Sequence, residues 1–206
     1  MKKYLAFDAS GEMIVVGCNN GKKYYERREL GGGTERLLPV IDAVLSDAKM
    51  KMKDVEVVCV GVGPGSWTGS RVSVVTSYGL GSANNNLKFC QFNAFDLISY
   101  NGNENKKVVK LVKAFANFVY VQDYNNEISI MTKDELLKKY KDVVFVSTNL
   151  VIDGVRIVDA QLESIANNLV KKEQFVDFRT IEPMYLRKSQ AEYQFDEKLN
   201  KCGAKK

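Results

Sequence analysis

Apolar positions come first in short blocks and then in longer periodic runs. Tyr4 to Ala9 is one apolar block and Met13 to Cys18 another, with a Ser10-Gly11 turn between them. Asn19-Asn20-Gly21 is a hairpin signal, because Asn and Gly tolerate the positive φ of tight turns. Lys22 to Glu29 then completes a meander of three strands. Gly31-Gly32-Gly33 leads into a helix expected to be capped by Thr34. Its Leu37, Leu38, Ile41, Val44, Leu45 and Ala48 recur at the spacing of one helical face. Pro39 removes an amide early in this helix and is expected to kink it or delay its start. Val55 to Val62 is nearly all apolar, which predicts a central strand covered on both faces. It runs into Gly63-Pro64-Gly65-Ser66-Trp67-Thr68-Gly69, and a second helix extends to about Ala83.

Polar runs divide the remainder. Asn84-Asn85-Asn86 and Asn101-Gly102-Asn103-Glu104-Asn105 bracket a strand at Leu87–Phe92 and a helix near Ala94–Tyr100. The second run marks the boundary between a lobe at 1–100 and a smaller one at 101–206, whose terminal segment is expected to return toward the first. Further strands are predicted at Val108–Phe115, Phe118–Tyr124, Glu127–Met131 and Val143–Val146, with helices at Lys133–Tyr140 and Ala160–Lys171. Asp153-Gly154 reads as an ordinary turn. A meander followed by α/β alternation is unlike a dinucleotide-binding sheet, which starts β-α-β. It predicts an α/β protein of two actin-like, ribonuclease-H-like lobes.

Composition sharpens this by exclusion. At 206 residues, 45% hydrophobic and 27% charged, the chain needs no metal or disulfide staple to fold. It contains no histidine, which removes His-ligated metal sites, Ser-His-Asp and Cys-His nucleophiles and imidazole acid–base chemistry. A peptidase built on a His-x-x-x-His metal site is therefore excluded. A ribonuclease-H-type nuclease needs several converging carboxylates, and only Asp8 stands at a strand end. Cys18, Cys59, Cys90 and Cys202 are far apart, and three of them sit in apolar runs as small hydrophobes. The net charge of +5 is spread over lysine doublets such as Lys106-Lys107 and Lys138-Lys139, with no basic arm. The apolar stretch after Lys2-Lys3 breaks at Asp8, too early for a signal peptide or a membrane span, so the chain is expected to be cytoplasmic and free of membranes.

Two constellations could carry function. Gly65, Ser66, Thr68 and Gly69 join a strand to a helix whose amides and hydroxyls form a ready anion site, without the Lys of a Walker loop. The same residues could simply let strand and helix pack closely, with Ser66 or Thr68 as the cap. Asp8 and Ser10, at the end of the first strand, occupy the place of a phosphate-binding hairpin. An ATP clamp would need a second such turn, and Lys113-Ala114-Phe115 offers neither Asp nor Gly. The second constellation is a stripe of small residues, Gly69, Ser73, Ser77 and Gly81, along the second helix. It could face the first helix of its own lobe or admit a partner's backbone.

Asp8-Ala9-Ser10, Thr34-Glu35-Arg36-Leu37-Leu38-Pro39, the glycine block through Arg71, and Pro183-Met184-Tyr185-Leu186-Arg187-Lys188-Ser189-Gln190-Ala191-Glu192 together resemble the bacterial TsaB family. The resemblance implies two actin-like lobes and a non-catalytic subunit of the complex that makes threonylcarbamoyladenosine in tRNA. It implies pairing with a catalytic TsaD-like subunit, which would hold the ATP and metal through histidines, and support by a TsaE-like ATPase. On this view the chain itself carries no cofactor and reaches tRNA only through the complex. The partner seam would run along the first two helices, at Leu37, Ile41, Gly69, Val72, Ser73, Thr76 and Ser77, with a homodimer open to the isolated chain. Asp8, Ser10, Gly65, Ser66 and Thr68 would be a vestige of an anion or nucleotide site. The chain departs from the family pattern at Gly33-Thr34, where His-Ser is usual, and at Lys113-Ala114-Phe115, in place of Asp-Ala-Arg. An active actin-like phosphotransferase or ATPase is the alternative reading.

Overall fold

The computed structural model describes residues 2–31, 33–102 and 105–186. The Thr34 side chain, Arg187 to Glu192 and Cys202 lie outside the described part. Two five-stranded sheets form the two lobes. The first contains β1 (Tyr4–Asp8), β2 (Met13–Asn19), β3 (Tyr24–Leu30), β4 (Val57–Gly61) and β5 (Lys88–Phe92), in the order β3-β2-β1-β4-β5. The meander is antiparallel, and β1, β4 and β5 run parallel. The second contains β6 (Lys107–Lys113), β7 (Phe118–Gln122), β8 (Ile128–Thr132), β9 (Val143–Ser147) and β10 (Val155–Ile157), in the order β10-β9-β6-β7-β8. Read from β8, this is the same path as the first sheet, again with an antiparallel meander and a parallel half. The chain is an α/β protein of two actin-like lobes.

Alternation along the strands sends the first sheet's side chains to two different cores. Leu5, Phe7, Val58 and Val60 pack under α1 (Gly33–Asp47) and α2 (Trp67–Ala83). Tyr4, Ala6, Val57, Cys59 and Cys90 face the other way, onto Leu162, Ala166 and Val170 of α4 (Leu162–Lys171). Cys18, Cys59 and Cys90 are free, buried thiols. In exchange, the segment after β5 crosses to the second sheet, where Ala94, Phe95 and Ile98 pack on Val112, Tyr120 and Val146. The remaining core lies under α3 (Lys133–Lys139), whose start carries a capping box between Thr132 and Glu135.

Several expectations need correction. Ala94–Tyr100 is a set of turns, not a helix, because Ala94 N donates to Gly63 O and the Leu97 carbonyl accepts from Gln161 N instead of from its own chain four residues on. α1 starts at Gly33 and passes through Pro39 without delay. Pro39 is exposed, so the carbonyl left without its amide falls on the side where water can serve it. Leu38 was expected on the buried face but is 58% exposed, while Val40 takes the core position. β10 follows the Asp153-Gly154 turn where no strand is predicted; three residues at a sheet edge give too little periodicity to register.

Candidate functional site

The site is built on the turn that follows β1. Asp8 ends the strand, 5% exposed, and its Oδ1 accepts from Ser10 N at 2.9 Å. Burial pushes its carboxyl pKa up, while the Ser10 amide pulls the other way. Ala9 N donates to Ser73 Oγ at 3.0 Å, and Ser66 N donates to the Ser10 carbonyl at 2.7 Å. The turn is thereby seated on the start of α2. A Cβ at Gly65 would stand 2.2 Å from Ser10 O, and one at Gly69 would stand 1.9 Å from Ala9 O. Both glycines are required for this approach. Ser66 is the cap, its Oγ accepting from Gly69 N at 3.2 Å, and Thr68 is exposed beside it.

The turn borders two cavities between the lobes. One, of about 320 Å³, runs along Ser66, Thr68, Lys113 and Phe115; the other, of about 280 Å³, reaches Asp8, Arg28, Asn149 and Asp159. The lobes touch across the first through an ion pair between Lys113 Nζ and Glu12. The Ser10 hydroxyl is buried and makes no hydrogen bond of good geometry, although it lies close enough to Asp8 to favour that group's charged form.

These residues do not fit a nucleotide clamp. The Ser66 and Gly69 amides at the head of α2 are already taken by protein oxygens. The second turn presents Phe115, stacked on Phe118 with centroids 5.0 Å apart, where a clamp would need backbone amides. Among the described residues, no group of three or more Cys, Asp or Glu side chains is placed to hold a metal ion. Asp8, Ser10, Gly65 and Ser66 thus come together as a packing junction, and Thr68 lies on its rim.

The small-residue stripe is also internal. Ser73 and Ser77 are fully buried; Ser73 holds the Ala9 amide and Ser77 Oγ donates to Val74 O. Gly69 meets the β1 turn, and a Cβ at Gly81 would lie 2.5 Å from the Phe178 ring. Leu37 and Ile41 are core residues of the same lobe. Of the seven residues assigned to a partner seam, Leu37, Ile41, Gly69, Ser73 and Ser77 are therefore engaged within the chain. Only Val72 and Thr76 remain partly exposed. What the helices do expose is Leu38 on α1 and Val75 on α2, the latter 64% accessible beside a dent lined by Arg71, Val72 and Thr76.

Residues 181–185 return to the first lobe, and Tyr185 reaches a residue that lines the first cavity. Met184 N donates to Val62 O, Tyr78 Oη donates to Ile181 O at 2.7 Å, and Tyr185 stacks on Trp67 with centroids 4.2 Å apart. The sequence offered both aromatic residues but no signal that would pair positions so far apart.

The sequence model described as TsaD, tRNA N6-adenosine threonylcarbamoyltransferase, matches residues 33–153, more than half of the chain. The chain belongs to the TsaD family. Its fold is similar to that of YeaZ from Pseudomonas aeruginosa, at a TM-score of 0.72 and 19% identity, covering 90% of this chain and 100% of that one. A second solved structure, an uncharacterized protein with similarity to peptidase YEAZ from Pseudomonas aeruginosa, gives 0.71 at 19% identity, covering 91% and 100%.

Proposed function

We propose that this chain is a non-catalytic, TsaB-like member of the TsaD family, supporting threonylcarbamoyl transfer to tRNA adenosine by binding a catalytic TsaD-like subunit. The observation that carries the reading is the cleft. The position of the first phosphate turn is docked onto α2, the second carries Phe115, and a chain without histidine has no His-x-x-x-His to offer. ATP and metal then belong to the partner, and a TsaE-like ATPase would act on the assembled pair. Docking is assigned to the exposed apolar positions of α1 and α2, Leu38 and Val75, with Val72 and Thr76 at their margin. The buried stripe sets the shape of α2 beneath them. The same face could pair two copies of the isolated chain.

Co-expression with the TsaD-like chain of the same cell tests this. A stable complex should co-purify, and the single chain should neither hydrolyse ATP nor modify tRNA. Turnover by the purified single chain would favour the phosphotransferase alternative instead. Val75→Glu should abolish the complex while leaving the melting temperature of the free chain unchanged, since an exposed substitution moves stability by no more than about 0.5 kcal/mol. A complex that survives this variant would place the seam elsewhere.

A further inference from the structure

The second sheet has two ends, and the cleft occupies only one of them. β6 runs from Lys107 to Lys113, so its first residue lies about 20 Å from the cleft at a strand rise of about 3.3 Å per residue. At that far end the start of β6, the loop after β7 and the end of α3 surround an open basin of about 460 Å³. Lys106, Lys107, Lys139 and Lys141 line it; among the described residues Asp142 is the one lining carboxylate, and it pairs with Lys106 at 2.8 Å. Asp123, close by, is turned inward onto the amides of Asn125 and Glu127. The basin is also aromatic. Lys107 Nζ sits 4.0 Å from the centroid of the Tyr124 ring, and Tyr124 meets Tyr140 edge-on.

The α3 dipole accounts for Lys138 and Lys139, which lie in its last turn, but not for Lys106 and Lys107, which come from another element. Lysines scattered in the sequence, the doublet Lys106-Lys107 together with Lys139 and Lys141, are gathered by the fold into one place. Spaced ammonium groups bind phosphates without reading bases, and an exposed ring supplies a sequence-tolerant stacking surface. Tyr124 is 41% exposed and offers such a ring.

We propose that this basin binds the backbone of an RNA, so that the chain contacts tRNA directly and not only through its partner. The proposal rests on the reading that the chain serves tRNA modification. Fluorescence anisotropy of the full chain with an unmodified anticodon stem-loop, titrated against salt, tests it. Binding should weaken as salt rises, with a logarithmic slope of about 0.7 for each phosphate neutralised. Lys107→Glu/Lys139→Glu should lose tenfold or more in affinity and lower the slope by about 1.4. Tyr124→Ala should lose severalfold with the slope unchanged. Lys22→Glu/Lys23→Glu makes the same charge change on the β2–β3 turn and should retain most of the affinity.

Equal losses in the two charge variants would overturn the site in favour of overall charge. So would an absence of binding by the unaltered chain at low salt. Polyglutamate competing as well as RNA would overturn the choice of ligand. If RNA binding fails while the TsaD-like chain still co-purifies, the basin is wrong and the accessory role stands; the reverse result leaves the basin and removes the role.

Discussion

At Gly65 and Gly69 the missing side chain is what allows the β1 turn to reach α2. An alanine there would overlap a carbonyl oxygen, at 2.2 Å and 1.9 Å respectively, and neither partner is a flexible side-chain end. Gly69→Ala should therefore destabilise by about 3 kcal/mol, the upper range of overpacking, as read from denaturant midpoints. Gly79, on the same helix, has nothing within 4 Å of its would-be Cβ. Gly79→Ala should stabilise by about 0.5–1 kcal/mol through helix propensity alone. The cap is Ser66, so Ser66→Ala should cost about 1 kcal/mol and Thr68→Ala almost nothing. Asp8 adds a pH signature. Its carboxyl is buried and its pKa raised, so the folded state resists the charge that the unfolded chain accepts above about 3.8. Native stability is lost as pH climbs through the raised value. Asp8→Asn, which keeps an acceptor for Ser10 N, should melt higher than the parent at neutral pH, with the gain vanishing below that window.

Among the elements, α2 was legible as a helix but its faces were not. The four-residue spacing of Gly69, Ser73, Ser77 and Gly81 is visible in the sequence, yet spacing cannot say which neighbour approaches. The neighbours are Ala9 and Phe178, more than sixty residues away along the chain in one case and nearly a hundred in the other. Ser73→Leu should accordingly unfold or strongly destabilise the free chain, and circular dichroism melts of the monomer will register it before any partner is added. α1 teaches the complementary lesson. Leu37 and Leu38 are adjacent apolar residues, and a helix of 3.6 residues per turn cannot bury both when Val40 and Ile41 already fix the core side. The expected helix at Ala94–Tyr100 failed for a different reason. Its apolar residues serve the second sheet, and the Leu97 carbonyl that a helix would keep for itself goes to Gln161.

For the molecule as a whole, two actin-like lobes were readable from the meander and the α/β alternation, but no sequence repeat announced that their sheets follow one path. Path is a backbone property, and the side chains that serve it share no repeat in this chain. Nor could the crossing of the ends be read: α4 covers the first sheet and the segment after β5 covers the second, so each lobe borrows part of its core. A chain ending at Val158 would leave Tyr4, Val57, Cys59 and Cys90 uncovered. It should fail to give a cooperative melt even though every strand of both sheets is present. By contrast, the Lys113–Glu12 pair that spans the lobes is exposed, and Glu12→Gln should shift stability by less than about 1 kcal/mol.

The stack of Tyr185 on Trp67 has an optical consequence. The chain contains one tryptophan, and it stands where the returning segment meets the head of α2. Its emission is therefore a single-site gauge of whether that segment is seated, uncontaminated by any other indole. Tyr185→Ala should shift the spectrum to the red, and a stopped-flow trace of the same signal would time the seating against partner capture.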